Sequence, residues 1–353
     1  MTKAKALLAQ MTQGEKVGQL IMIGLNGLDN AKHLGWENSA ASINQTQIDN
    51  IKKYSPGGVI LFKANAQSTA QITAYTAALQ KHSRVPMFIS VDEEGGNVSR
   101  LGGNKDIDVA RLPTPAEQGR LSLEEFASLR ANLCRQLKKL GINDNHDTMC
   151  DLPTNPHNYI IKGLGRYYNE DIAKTCDFIK TNIRVAREEK IITSAKHFPG
   201  HGDTTVDSHE EMPVCDMTLD QLAKRELLPF RAAVEANAPR IMVSHIAYPK
   251  ITGDEKLPAS MSAKMISILR TDLGFGGIII TDDMLMDAIR KYYTPGQSAA
   301  AAIAAGNDML IYRINLAEVF EGILAAVGKT IPQSRLDESV LRILETKIQY
   351  GII

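Results

Sequence analysis

The sequence predicts an α/β fold, a single-domain (β/α)8 barrel of the TIM type, and three observations support this. Eight short apolar runs recur along the 353 residues, each followed by a polar turn and a stretch of helix-forming residues. The runs are mostly continuous rather than alternating, which is typical of parallel strands covered on both faces. No GxGxxG or GxxxxGK[ST] motif follows any run, so a nucleotide-binding doubly wound sheet is not supported. We therefore expect residues 1–353 to form one barrel domain.

The predicted strands and helices alternate along the chain. The strands are expected at 20–24, 57–62, 87–91, 142–149, 191–197, 240–245, 277–281 and 308–312. The fourth run, INDNHDTM, is much more polar than the others and is assigned from its neighbours. Helices are expected at 67–81, 170–189, 219–227, 316–328 and 333–349. Thr218 and Gln221 have capping-box spacing at the start of one helix, and Pro229 is expected to end or kink it.

The charge balance and the cysteine content narrow the class of protein. The 40 basic and 40 acidic residues leave no net positive field that would attract nucleic acid or an anionic membrane. Four widely spaced cysteines without a CxxC pair indicate reduced thiols rather than a disulfide framework. No membrane span or signal sequence is recognisable, so a cytoplasmic location is expected. A small, neutral or weakly charged ligand suits this composition.

Polar side chains stand at the ends of several predicted strands, where a barrel carries its active site. The third strand is followed by Asp92, Glu93 and Glu94, the fifth ends in Lys196 and His197, and the sixth ends in His245. The seventh strand is followed by Asp282 and Asp283. Because these residues share one predicted location, we expect them to lie around one cleft.

Each of these residues also has a purely structural interpretation. A carboxylate at Asp282 or Asp283 can attack an anomeric carbon, but either residue can equally cap the next helix. The Asp207–His209 pair suits proton transfer near neutral pH, and an ordinary solvated loop remains the alternative. His197, His201, Asp207 and His209 also resemble zinc ligands, although their spacing matches no established pattern. We therefore expect no metal and no cofactor.

Several motifs, in order along nearly the whole chain, resemble glycoside hydrolase family 3. The most specific is KHFPGHGDTTVDSH, which resembles the family's signature loop. VDEEGGNVSRL, SHIAYP, LGFGGIIITDDMLM and AAGNDMLIY precede or follow it in the family's order. The resemblance is to the single-domain β-N-acetylglucosaminidase branch of that family.

The resemblance implies roles for residues at matching positions. Asp282 is expected as the nucleophile, and His209 as the acid/base with Asp207 as its partner. The non-reducing sugar is expected to be bound by Asp92, Arg100, Arg166, Lys196 and His197. The implied activity is the retaining hydrolysis of terminal N-acetylglucosamine from peptidoglycan-derived fragments, by a monomer or weak homodimer. The implied partner is thus a small carbohydrate.

This sequence departs from the family pattern at several positions. His146 and Asp147 replace apolar residues in the fourth strand, which makes the local packing uncertain to predict. Arg166 matches the family's substrate-binding arginine only if two extra residues are allowed. Another family 3 β-glycosidase, such as a β-glucosidase, and a non-catalytic sugar-binding barrel therefore remain alternatives. Phosphorolysis in place of hydrolysis is a further alternative.

Overall fold

The computed structural model describes residues 2–29, 42–204 and 212–353, and its central feature is a closed barrel of eight parallel strands. The strands, β1 to β8 in chain order, are Ile21–Gly24, Gly58–Leu61, Phe88–Val91, Asp144–Met149, Ile192–Phe198, Arg240–Val243, Ile278–Asp283 and Met309–Tyr312. Each strand pairs with its neighbours in sequence, and β8 pairs with β1 to close the barrel. The predicted (β/α)8 barrel is confirmed, and every predicted run overlaps one strand.

Helices surround the barrel. Within the described residues, α1 to α16 are Lys3–Ala9, Gln13–Gln19, Leu25–Leu28, Gln45–Tyr54, Thr69–His82, Pro115–Gln118, Leu123–Lys139, Ile172–Glu188, Leu219–Lys224, Leu227–Glu235, Pro249–Thr252, Ala263–Ser267, Asp287–Arg290, Pro295–Ala305, Leu316–Ala326 and Gln333–Gln349. The long C-terminal helix α16 packs against α1 and α2. In addition, a short antiparallel hairpin, Glu93–Gly95 with Val98–Ser99, follows β3. None of the described helices is long and apolar enough to span a membrane.

The predicted helix ends are mostly correct, with one exception near Pro229. The capping box of Thr218 and Gln221 is present at the start of α9. The helix ends before Arg225, whose backbone leaves the helical conformation, and not at Pro229. Pro229 lies in the first turn of α10, where the backbone N–H that proline lacks needs no partner within the helix. The expectation that Pro229 ends or kinks the helix is therefore wrong.

The polar fourth strand is stabilised because its buried charges find partners on both faces. On the outward face, Asp147 is buried and forms an ion pair with Arg130 of α7. On the inward face, Asp144 forms a close ion pair with Arg240 at the start of β6. Burial alone would raise the pKa of Asp144, but Arg240 outweighs it and lowers that pKa to about 2. The strand thus tolerates polar residues because each buried carboxylate is paired with a cation.

Candidate active site

Two adjoining cavities open at the carboxyl ends of the strands and together form the candidate active-site cleft. The first chamber has a volume of about 200 Å³ and the second about 250 Å³. Both are lined by Asp92, Arg100, Met242, Asp282 and Met286. Six predicted site residues lie in the described part of the chain, and all six line the first chamber: Asp92, Arg100, Arg166, Lys196, His197 and Asp282. Of the residues expected to converge from the strand ends, Asp92, Lys196, His197 and Asp282 line the first chamber, whereas Glu93 and His245 line neither chamber.

A buried cluster of ion pairs forms one wall of the first chamber. The Lys196 Nζ atom lies 3.0 Å from Asp92 Oδ1 and 2.6 Å from Glu94 Oε1. Arg166 donates two hydrogen bonds of 2.8 Å to the two carboxylate oxygens of Glu94. Burial would raise the pKa of Glu94, but Arg166 and Lys196 hold it at about 2. Burial would lower the pKa of Lys196, but Glu94 and Asp92 raise it above its usual range. All these groups are therefore charged at neutral pH.

His197 is oriented by a carboxylate that follows β4. Asp151 lies 2.6 Å from His197 Nδ1 and also accepts the backbone N–H groups of His197 and His201. The other ring nitrogen, Nε2, lies 3.4 Å from Arg166 Nη2 at the chamber wall. Burial lowers the pKa of His201 to about 4, so its imidazole is neutral at pH 7. Asp151 thus fixes His197 with Nε2 facing the cleft.

The two aspartates at the end of β7 have different surroundings. Asp282 lines both chambers, and its Oδ1 atom accepts the backbone N–H of Asp283 at 2.7 Å. Asp283 pairs closely with Arg313 and accepts the N–H of Leu285 at 3.1 Å. Burial raises the pKa of Asp283, and Arg313 opposes that shift. Asp283 thus stabilises the turn after β7 but does not cap α13, whose N-cap is Met286. Asp282 lines the cleft, and its role as nucleophile stays a prediction.

The hairpin after β3 places Arg100 at the cleft. The Glu93 carboxylate accepts the backbone N–H groups of Arg100 and Leu101 at 2.9 and 2.8 Å, which makes Glu93 a structural residue. Gly95 adopts a φ of 108°, and a Cβ there would lie 2.1 Å from the carbonyl oxygen of Pro113. Arg100 Nη2 in turn lies 3.6 Å from Asp92 Oδ2. Arg100 and Asp92 therefore form an ion pair within the cleft.

Two predicted catalytic residues, Asp207 and His209, lie outside the described residues. Thr204 and Met212 are the described residues on either side of them. In the part of the chain that the structure describes, no group of three or more His, Cys, Asp or Glu side chains could hold a metal ion. The imidazole of His245 lies away from the lining of both chambers and contacts Ser260 Oγ at 2.7 Å.

Sequence reasoning assigned no functional role to three residues of this site: Glu94, Asp151 and His146. Glu94 was indistinguishable from Glu93, although only Glu94 binds Lys196 and Arg166. Asp151 lies two residues beyond β4, where a strand-end search would have found it. His146 was noted only as a departure from the family, and it lines the second chamber.

Comparisons with known proteins agree with this architecture. A family model, the glycosyl hydrolase family 3 N terminal domain, matches residues 12–346. The beta-hexosaminidase A of Pseudoalteromonas piscicida is 30% identical, in an alignment covering 97% of this chain and 61% of that protein. The beta-hexosaminidase of Nitrosomonas eutropha is 31% identical over 75% of this chain and 76% of that protein.

Solved structures show the same fold. A glycoside hydrolase family 3 beta-N-acetylglucosaminidase from Paenibacillus sp. str. FPU-7 matches with a TM-score of 0.86 and 31% identity, covering 97% of this chain and 63% of that chain. The beta-N-acetylhexosaminidase from Beutenbergia cavernae matches with a TM-score of 0.84 and 25% identity, over 96% of this chain and 99% of that chain. This chain thus spans about three fifths of the Pseudoalteromonas and Paenibacillus proteins. Because the family model covers nearly its whole length, the chain belongs to glycoside hydrolase family 3.

Proposed function

We propose that this chain is a retaining β-N-acetylglucosaminidase that releases terminal N-acetylglucosamine from peptidoglycan-derived fragments. One observation carries the proposal: Asp282 lines both chambers of a cleft whose wall is a buried cluster of charged hydrogen-bonding groups. The hexosaminidase names of the relatives support the choice of sugar. In this proposal residues 1–353 act as one catalytic barrel domain.

In the proposed mechanism Asp282 is the nucleophile. Its carboxylate attacks the anomeric carbon, the glycosidic C–O bond breaks, and a covalent glycosyl-aspartate forms. Water then attacks the same carbon from the opposite face and restores the free carboxylate, so the β configuration is retained. His209 protonates the leaving oxygen in the first step and removes a proton from water in the second. Asp207 stabilises its imidazolium form.

The non-reducing sugar is proposed to bind in the first chamber. Asp92 accepts hydrogen bonds from sugar hydroxyls, while Lys196 and Arg166 donate to hydroxyl oxygens. His197 offers Nε2, which faces the cleft, as a further acceptor. Glu94 holds Lys196 and Arg166 in place, and Asp151 holds His197. Preorganised polar groups of this kind bind a hydroxylated ring without having to reorient first.

The nucleophile is tested by Asp282→Asn. Release of 4-nitrophenol from 4-nitrophenyl N-acetyl-β-glucosaminide should fall by about 10⁴-fold or more, because an amide cannot form the ester intermediate. Asp254→Asn, at an exposed carboxylate in a loop, is the matched control and should keep full activity. An Asp282→Asn enzyme as active as the control would remove Asp282 from the mechanism.

The acid/base is tested by His209→Ala on two leaving groups. Hydrolysis of a natural disaccharide should fall much more than hydrolysis of a 2,4-dinitrophenyl glycoside, because the activated phenolate leaves without protonation. Equal losses on the two substrates would contradict the assignment of His209.

The sugar and the acceptor are tested with the wild-type enzyme. A panel of nitrophenyl glycosides should show preference for the N-acetylated sugar, and a preference for glucosides would point to another activity in the family. Product analysis with and without phosphate distinguishes hydrolysis from phosphorolysis, since only the second yields a sugar 1-phosphate. Tight binding of sugar without turnover would instead indicate a non-catalytic barrel.

A further inference from the structure

The floor of the second chamber contains one polar residue among apolar ones. Its lining includes Ile60 of β2, His146 of β4, Met242 of β6 and Ile311 of β8. These strands alternate around the barrel, as expected for one layer of four inward side chains. Three members of the layer are apolar, and His146 presents an imidazole in the same layer. The position of His146 is one at which the resemblance to the family predicts an apolar residue.

The imidazole of His146 is buried, and its two nitrogens face different surroundings. Nε2 lies 3.3 Å from Arg240 Nη1 and 3.4 Å from Asp144 Oδ2. The contact with Arg240 has hydrogen-bond geometry, and because arginine only donates, Nε2 accepts. With Nε2 as the acceptor, the ring hydrogen resides on Nδ1. Nδ1 has no hydrogen-bond partner among the described residues, and Asp92 Oδ1 lies 4.0 Å away from it.

The pair formed by His146 Nδ1 and Asp92 Oδ1 matches a hydroxyl group. The separation of 4.0 Å is too long for a direct hydrogen bond. An oxygen atom roughly 2.8 Å from each atom spans this gap with a bent arrangement, and both residues line the second chamber. A hydroxyl oxygen accepts from Nδ1–H and donates its own hydrogen to the carboxylate. Leaving a buried N–H unsatisfied is unfavourable, so the site favours a ligand that supplies such an oxygen.

We propose that His146 is a specificity-determining residue that, together with Asp92, binds one hydroxyl group of the pyranose ring. The inference rests on the proposed function, because it takes Asp92 as a sugar-binding residue. It extends the sugar site into the second chamber and assigns a role to the polar residue in an otherwise apolar floor layer.

The test combines variants of His146 with sugars that lack single hydroxyls. Wild type, His146→Phe, His146→Asn and His146→Gln are assayed on 4-nitrophenyl N-acetyl-β-glucosaminide and on its 3-, 4- and 6-deoxy analogues. In wild type, one deoxy analogue should lose about 10- to 100-fold in kcat/KM, as expected for a hydrogen bond involving a charged group. In His146→Phe, the penalty for that same analogue should shrink by at least about 5-fold, while the penalties for the other two stay unchanged.

The Asn and Gln variants separate sugar contact from support of the strand. The side-chain amide of Asn lies near the position of Nδ1, on the side of Asp92, whereas that of Gln lies near Nε2, which faces Arg240 and Asp144. His146→Asn should therefore keep more of the wild-type deoxy penalty than His146→Gln. The opposite order, or equal deoxy penalties in all four proteins, would overturn the proposal. This comparison remains informative if His146→Phe fails to fold.

Controls keep the two proposals distinguishable. His157→Asn, at an exposed histidine, should leave every deoxy penalty unchanged. If the enzyme prefers glucosides, the proposed sugar is wrong, and the His146 cycle is run with deoxyglucosides, where the same coupling is expected. Calorimetry with the parent sugars measures binding independently of turnover. If neither sugar binds, both proposals are overturned.

Discussion

The mouth and the base of the barrel both contain buried carboxylates surrounded by cations, and the two differ in their access to the active-site cleft. At the base, Asp308 at the start of β8 is completely enclosed by protein donors: Arg270, Arg335, Arg342, Ser339 and the backbone N–H of Ile279. At the mouth, Asp92 contacts Lys196 and also lines both chambers. Burial and pairing alone therefore do not identify a site, and access from the carboxyl ends of the strands does.

The electrostatic balance is the same in the two arrangements, but it serves different purposes. Burial would raise the pKa of Asp308, but three arginines outweigh it and lower that pKa. At the mouth, burial also works to raise the pKa of Asp92, and Lys196 and Arg100 lower it. The base cluster uses its charge to hold a strand to its helices, whereas the mouth cluster keeps charged groups ready for a ligand.

The largest expected effect is the loss of stability in Asp308→Asn. Removing the negative charge leaves three arginines close together, so the free energy of unfolding should fall by about 3–5 kcal/mol. KM and kcat, measured well below the melting temperature, should remain near wild type. Asp337→Asn, at the partly exposed pair with Lys16, is the control and should cost at most about 1 kcal/mol. A large rise in KM in Asp308→Asn would contradict the assignment of the base cluster to stability and of the mouth cluster to ligand binding.

Asp92→Asn should show the converse behaviour. Lys196 keeps its contact with Glu94 after the substitution, so the fold retains a paired cation. The catalytic efficiency kcat/KM should fall by about 100-fold, because a charged hydrogen bond to the sugar becomes a neutral one. Thermal denaturation monitored by circular dichroism should change much less than in Asp308→Asn. A similar drop in melting temperature in the two variants would mean that Asp92 supports the fold as much as Asp308 does, which contradicts this comparison.

The same comparison explains what the sequence could predict. The barrel followed from apolar runs, and the rule that active sites lie at carboxyl strand ends located Asp92, Lys196, His197 and Asp282. The family resemblance added Arg166, which lies in a loop after a turn of helix that no periodicity marks. Such loop positions depend on motif matching, because local patterns do not fix where a loop side chain points.

The sequence alone does not predict which charged residues pair when they are distant along the chain. Asp147 and Arg130 lie in different elements, and their ion pair exists only because α7 packs on the outer face of β4. Likewise, Asp308 belongs to a predicted strand, but its three arginines come from distant helices and turns. Polar residues within a buried, largely apolar strand must have polar partners, and only the packed structure identifies those partners.

The smallest expected effect concerns Glu226, a buried carboxyl at the start of α10 that has less compensation than either cluster. Burial raises its pKa to about 7, although Arg225 opposes the shift from a distance of 2.7 Å. Between pH 4.5 and 7 the unfolded chain releases this proton while the folded protein retains it. The stability contributed by Glu226 is therefore complete below pH 4.5 and is lost as the pH rises through 7.

Glu226→Gln should remove this pH dependence. At pH 8 the variant should be more stable than wild type by about 2 kcal/mol, since the amide has no proton to lose in the unfolded state. At pH 4 the two proteins should unfold at nearly the same urea concentration. Glu235→Gln, at an exposed glutamate paired with Lys180, is the control and should show no gain at pH 8. A stability difference that stayed constant from pH 4 to 8 would mean that Glu226 is as well compensated as Asp92 and Asp308.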